Sequence, residues 1–370
     1  QLPNVVKLLE DTRIDSGKLA LEAKLEMAPS CLDVAASVNV TDVAGKSRGR
    51  PVRLADVNLT GKAAAVDTVA NVRDLAAQLT SAFAGLNGGG KSLAEQSWKA
   101  EIDIGKLHAE LAQFVDIDQY LAGASKAAAL LKDEKININL AGGVELAKGV
   151  TAKLASLSLS SSSDLLKVHK SPDRELVLGL GQGNVKGSGA VQIGADLVRG
   201  AQIARALGYE LAAEGRPGEL LGGRLGGTIN LNRTDQPMSL VDADFDLTGV
   251  NIRTSGRPMR NQPVRITLKA AVPDDLGHVD QVQVAVTSEL AKVTVKDARL
   301  ALFTGQGEQR RPVSPMQMVQ AGTVDANIPD VARLRVLAQA FAPPAGPATQ
   351  PSIELRGGAV QVNATLKRES

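Results

Sequence analysis

Lys18-Leu19-Ala20-Leu21-Glu22-Ala23-Lys24-Leu25-Glu26-Met27 is the stretch that sets the fold class. Leu19, Leu21, Ala23, Leu25 and Met27 occupy every second position; Lys18, Glu22, Lys24 and Glu26 fall between them. Successive side chains of a β-strand point to opposite faces, so the run reads as a strand with one apolar and one wet face.

The same period returns along the chain. Val34, Ala36, Val38 and Val40 alternate with Ser37, Asn39 and Thr41, and Trp98, Ala100, Ile102 and Ile104 with Lys99, Glu101 and Asp103. Ile136, Ile138 and Leu140 alternate with asparagines, Leu157 and Leu159 with serines, Ile229 and Leu231 with asparagines. Val241, Ala243, Phe245 and Leu247 alternate with Asp242, Asp244 and Asp246; Ile266 and Leu268, then Val282, Val284 and Val286, then Val293 and Val295, then Val360, Val362, Ala364 and Leu366 follow. Turn signals such as Asp15-Ser16-Gly17, Gly142-Gly143, Pro273-Asp274-Asp275 and Gly357-Gly358 separate the runs. Many short alternating runs with frequent turns predict a mainly β, antiparallel protein.

Helical spacing interrupts this pattern. Val69, Val72, Leu75, Leu79 and Phe83 predict a helix over Val66–Leu86. Further helices are predicted over Ile117–Leu131, Ala195–Leu211 and Pro329–Phe341, and short ones over Asn4–Leu9 and Leu107–Phe114. The resulting segmentation is a β-rich segment (1–65), a helix-rich insertion with one strand (66–135), a main antiparallel segment with one helix (136–327), and a helix with a terminal strand (328–370). An apolar residue, a polar cap, a short helix, a spacer, one or two glycines and an alternating strand recur as a loose, irregular repeat.

This repeat, as in Ile328-Pro329-Asp330-Val331-Ala332-Arg333-Leu334 and Gly222-Gly223-Arg224-Leu225-Gly226-Gly227-Thr228-Ile229, resembles the AsmA-like family of repeating β-groove envelope proteins. The resemblance covers much of the chain and rests on texture, not on a diagnostic motif. It implies a long antiparallel sheet curled lengthwise into a groove in the bacterial periplasm. It also implies an N-terminal helix anchoring the protein in the inner membrane, and movement of phospholipid toward the outer membrane. This sequence lacks that anchor helix, so it is expected to be a piece of a longer protein. The expected partner is phospholipid or another acyl-chain lipid, with envelope proteins besides.

Under that reading the groove face would comprise Leu19, Leu21, Leu25, Val38, Val40, Ile102, Ile104, Ile136, Ile138, Leu157, Leu159, Ile229, Leu231, Phe245, Leu247, Val282, Val284 and Val286. A one-sided sheet must cover its apolar face with helices, a second sheet or a ligand. Shielding a lipid tail is worth about 0.8 kcal/mol per CH2. The alternative is a structural or protein-interaction module whose apolar faces close on one another as an ordinary core.

Composition narrows the function classes. Lys plus Arg number 42 against 40 Asp plus Glu, a net charge of +2, and aromatics make up 2%. That balance offers no footprint for a nucleic-acid backbone and few rings for base stacking. The single Cys31 rules out a disulfide framework. No apolar run reaches about 18 residues, so no membrane-spanning helix is expected. His108, His169 and His278 are far apart, and no catalytic constellation, metal site or cofactor is expected.

Several motifs are read as structural. Gly85-Leu86-Asn87-Gly88-Gly89-Gly90-Lys91-Ser92 matches the phosphate-loop pattern, but its flanks are wrong, and a loop after a helix is expected. Gly179, Gly181 and Gly183 do not complete a dinucleotide fingerprint and are read as strand glycines. Asp242, Asp244 and Asp246 are read as a solvated strand face, lacking the spacing of a calcium loop.

Overall fold

A computed structural model describes residues 12–28, 31–65, 71–119, 122–146, 150–181, 184–209, 215–216, 218–233, 237–254, 259–273, 277–304, 311–312, 319–329 and 358–367. The chain is mainly β, with antiparallel pairing throughout the registered ladders. It divides into two compact units: residues 1–169 with 202–209, and residues 170–201 with 210–370.

Unit one is a meander. β1 (Thr12–Ala28), β2 (Cys31–Ser47), β4 (Val57–Ala65), β5 (Val72–Ser81), β6 (Ala84–Ser92), β7 (Glu95–Asp103), β8 (Lys135–Glu145), β9 (Val150–Ser161) and β10 (Leu166–Lys170) pair each with the next. The short β3 (Arg50–Arg53) folds back on the end of β2. The register joins Leu21, Val38, Leu59, Leu79, Leu86, Ala100, Ile138, Leu159 and Val168 into one cross-strand row. One residue along, Glu22, Ser37, Thr60, Gln78, Asn87, Lys99, Asn139, Ser158 and His169 form the neighbouring row. Because neighbouring rows face opposite sides, the period-two pattern sums across the strands into one aliphatic and one polar face.

Unit two repeats the scheme with β11 (Leu176–Gly181), β12 (Asn184–Asp196), β13 (Leu220–Arg233), β14 (Met238–Ile252), β15 (Met259–Pro273), β16 (His278–Ser288), β17 (Lys292–Ala301), β20 (Val319–Ile328) and β21 (Val360–Lys367). A two-residue pair, β18 (Phe303–Thr304) and β19 (Arg311–Pro312), lies apart. Val191, Ile229, Ala243, Leu268, Val284, Val295, Val324 and Ala364 make the aliphatic row. Gln192, Thr228, Asp244, Thr267, Ala285, Thr294, Asp325 and Asn363 make the polar row beside it.

Among the described residues, helices enter where one strand leaves and its neighbour returns. Between β7 and β8 lie α1 (Ile104–Ala112), a 3-10 turn at Ile117–Gln119 and α2 (Ala124–Leu130); between β12 and β13 lies α3 (Leu197–Ala206). Each of α1 and α3 begins on an aspartate that ends the preceding strand, Asp103 or Asp196. The chain re-enters the sheet beside a buried carboxylate in both cases. Glu134, ahead of β8, accepts from Ser162 Oγ and the Ser163 N–H, each at 2.8 Å. Glu219, ahead of β13, accepts from Arg253 Nε at 2.6 Å and from the Gly215 N–H at 2.8 Å. Buried carboxylates are tolerated when donors replace their lost water.

Four sequence expectations are corrected. The helix expected over Val66–Leu86 is strand from Val72 on, where β5 and β6 cover Val72–Ser81 and Ala84–Ser92; residues 66–70 lie outside the described residues. Leu75 and Leu79 are four apart, a spacing that suits one face of a helix and one face of a strand equally. Pairing of β5 with β4 and of β6 with β7 decides for the strand. Gly85–Ser92 is accordingly not a loop after a helix but a strand, paired on both sides. Ile104, assigned to a strand, is the first residue of α1. The helix expected over Ile117–Leu131 is a 3-10 turn followed by α2; in place of those expected over Ala195–Leu211 and Leu107–Phe114 stand α3 (Leu197–Ala206) and α1 (Ile104–Ala112). The helices expected over Asn4–Leu9 and Pro329–Phe341 lie outside the described residues, save for Pro329.

Candidate functional site

The aliphatic face of unit one is open. Leu21 is 69% exposed, Leu19 70%, Leu25 67% and Met27 87%. Farther in, Val38, Leu79, Leu86, Ile138 and Leu159 are each only half-buried. Among the described residues of unit one, the buried apolar side chains are Val52 and Ala127, neither on the row. An ordinary core would bury several members of such a row, since close packing needs a second layer.

Unit two is partly closed. Ala270, Val282 and Ala298 are buried together, with Val241, Leu268, Val279, Val284, Val295 and Leu300 packed on them. The strands bend here. The register slips on either side of Val282, and Gln281 and Asp297 adopt φ values of 52° and 50°. Such bulges redirect a strand and crowd its inner side chains.

The register places most of the predicted groove residues on these two faces. Leu21, Val38, Ile138 and Leu159 share one row, Leu19 pairs with Val40, and Ile102 with Ile136. Leu25 lies opposite Val34, and Leu157 opposite Leu140. In unit two, Ile229 and Val284 share the row given above, while Phe245 and Val286 both flank Ile266. Leu231 pairs with Val241, and Leu247 with Leu225 and Val264. Val282 belongs to the closed cluster. Leu59, Leu79 and Leu86 are absent from the groove face expected from sequence, although they bridge Val38 to Ala100. Alternation at Leu75-Ala76-Ala77-Gln78-Leu79 is the signal that points to Leu79.

The opposite face of unit one holds two adjoining hollows, of about 560 Å³ and 230 Å³, that share Lys24, Ala35 and Lys62. Their rims carry Glu22, Lys24, Ser37, Thr60, Lys62, Gln78 and Asn87, and beyond them Glu26, Asp33 and Asp74. These hollows lie across the sheet from the aliphatic row, and between their polar rims alanines such as Ala35, Ala36, Ala76 and Ala77 form much of the lining. Lys24 and Glu26 form an ion pair here, which raises the lysine pKa and lowers the glutamate's through their mutual hydrogen bond and charge.

Charge on the polar face of unit two is paired across strands. Asp244 and Arg265 make a bidentate contact that lowers the aspartate pKa and raises the arginine's. Asp242 lies opposite Lys269, and Asp325 binds Lys296 at 3.1 Å. Asp242, Asp244 and Asp246 thus share the solvated side of β14. The three histidines do not converge: His108 is on α1, His169 on β10, and His278 pairs with Asp280 at 2.9 Å. Among the described residues no group of three or more His, Cys, Asp or Glu side chains is arranged to hold a metal ion. No helix among them is long and apolar enough to cross a membrane.

Comparison with protein-family models, with curated proteins and with solved structures finds no match to this chain.

Proposed function

We propose that the aliphatic face of this protein binds lipid acyl chains, without catalysis, as a periplasmic segment of an AsmA-like envelope protein that guides phospholipid. One observation carries the reading: the row from Leu21 to Val168 crosses unit one without a covering layer among the described residues. Its side chains are leucine, valine, isoleucine and alanine, which suit the smooth, nonspecific contact an acyl chain makes. Burying such a face against a tail returns about 25 cal/mol per Å² of apolar surface removed from water.

The closed cluster around Val282 favours a second reading for unit two alone, a structural module with its own core. Extraction of the purified 370-residue protein with organic solvent, followed by mass spectrometry, separates the two. Stoichiometric phospholipid, lost in Leu21→Asp while the circular dichroism spectrum is kept, is the expected result. A folded protein free of lipid would overturn the acyl-chain reading.

A further inference from the structure

A trench one residue wide crosses the aliphatic face of unit one. Beside the row through Leu21, the register joins Ala23, Ala36, Gly61, Ala77 and Gly88, on β1, β2, β4, β5 and β6. No side chain in that run exceeds a methyl group. The neighbouring rows on the same face are bulkier: Leu21, Val38, Leu59 and Leu79 on one side, Leu25, Val34 and Leu75 on the other. Leu21 and Leu25 are four residues apart, about 13 Å along the strand, which leaves room between them for the width of one hydrocarbon chain. From Gly88 to Ala23 the run crosses four strand spacings, about 19 Å.

The run of small residues stops at Trp98 on β7, the chain's one tryptophan. Its indole lies over Gly88, where a Cβ would stand 2.6 Å from Cε3, and Leu140 and Leu157 continue the row beyond it. Two residues away on the same face of β7, Gln96 is 8% exposed. Its Nε2 donates to the Ser92 carbonyl and lies 2.9 Å from the place a Cβ on Gly90 would take, so the amide borders this end of the trench. Its Oε1 is buried and has no hydrogen-bond partner. A buried amide oxygen in that state costs free energy until a donor reaches it. The methyl end of an acyl chain supplies no donor; a hydroxyl or ammonium at the polar end of a lipid does.

We infer that one acyl chain lies lengthwise in this trench, across the strands, with the polar end of its lipid at Trp98 and Gln96 and its tail running over Gly88 and Ala77 toward Ala23. This placement rests on the acyl-chain reading, and adds where the chain lies and which way it points. The Gln96 oxygen accepts from the polar end, and the indole closes the trench behind it.

Trp98 fluorescence tests it, since no other tryptophan contributes. The full chain is titrated with excess lysophosphatidylethanolamine whose single acyl chain carries bromine either near the carbonyl or near the methyl end, because bromine quenches an indole it touches. The near-carbonyl probe is expected to quench strongly and the methyl-end probe weakly. Ala36→Leu fills the trench floor at an exposed position and is expected to weaken binding of the near-carbonyl probe about tenfold. Ser37→Leu, on the opposite face, is expected to leave it unchanged. Gln96→Met keeps the length of the side chain, removes the acceptor, and is expected to weaken binding about fivefold. Circular dichroism is the folding control for each variant. Equal quenching by the two probes, or stronger quenching by the methyl-end probe, overturns the placement and leaves the acyl-chain reading standing. Equal losses in Ala36→Leu and Ser37→Leu do the same. Absence of quenching by either probe overturns the placement, and if the solvent extract also holds no lipid the acyl-chain reading falls with it.

Discussion

Asp103 and Asp196 hold the same position in the two units. Each is the last residue of a strand, and each Oδ1 accepts the backbone N–H three residues on, from Lys106 or Arg199, at 3.0 Å. The strand ends and the helix starts on one side chain, because an aspartate caps an unpaired helix N–H while its own backbone stays extended. Asp103 has φ −86° and ψ 106°. Glu134 and Glu219 then receive the returning chain in both units. The helical excursions are thus insertions into a hairpin, anchored at exit and at re-entry.

Removing the exit anchor should weaken the insertion. Asp103→Ala is expected to cost about 1 kcal/mol, and Asp103→Asn much less, since asparagine caps equally well. The Lys106 N–H, and less strongly the Lys106 ammonium, hold the Asp103 pKa below the usual range. Its contribution is therefore present above the unfolded pKa of about 3.9 and is lost as pH falls through the lower folded value. Urea unfolding at pH 7 and at successively lower pH should show the wild type and Asp103→Ala converging only in acid.

Glycines within the strands are not equivalent. At Gly89, in β6, φ is +154° and a Cβ would stand 1.9 Å from the Leu75 carbonyl oxygen. At Gly226, in β13, a Cβ would meet nothing within 4 Å. Gly89→Ala should destabilise by about 3 kcal/mol, combining overpacking with backbone strain. Gly226→Ala should be neutral or slightly stabilising through the unfolded chain. Equal effects in thermal unfolding would contradict this close approach of β5 to β6.

Arg265 should set the titration of Asp244. The arginine's hydrogen bonds, and then its charge, lower the aspartate pKa. In Arg265→Ala, Asp244 is expected to titrate closer to an ordinary aspartate, followed by its side-chain NMR shift. Both groups are exposed to solvent that screens them, so the effect on stability should be small. What the pair contributes is present above the unfolded aspartate pKa and fades as pH drops through the folded one.

Open and closed parts of the aliphatic faces should respond oppositely to charge. Leu21 is 69% exposed and Ala243 is 2% exposed, though both lie on aliphatic rows. Leu21→Asp should change stability by no more than about 0.5 kcal/mol. Ala243→Asp buries an unpaired carboxylate and should cost about 3 kcal/mol or more. Guanidinium unfolding of the two variants measures the contrast, and comparable losses would mean the unit-one face is covered.

The two faces are legible in the sequence because alternation is local: Leu21, Val38, Ile138 and Leu159 can each be assigned from their immediate neighbours. Which strands stand side by side is not legible there. The row through Leu59, Leu79 and Leu86 exists only once β4, β5 and β6 are in register, and a four-residue leucine spacing fits a helix as well as a strand. Nor does alternation separate Val282, which is packed in a cluster, from Leu25, which is open to solvent. That distinction depends on bulges at Gln281 and Asp297, whose left-handed φ values carry no pattern of their own.

By itself, the sequence determined that this protein is a mainly β, antiparallel chain with one aliphatic and one polar side, since the two-residue period of a strand is written in consecutive residues. It determined as well that short helices interrupt the strands. Only the tertiary structure decided which apolar residues meet across strands, and where the face closes and where it stays open. Those outcomes depend on neighbours distant in sequence, and burial is a property of what packs on a face, not of the face alone.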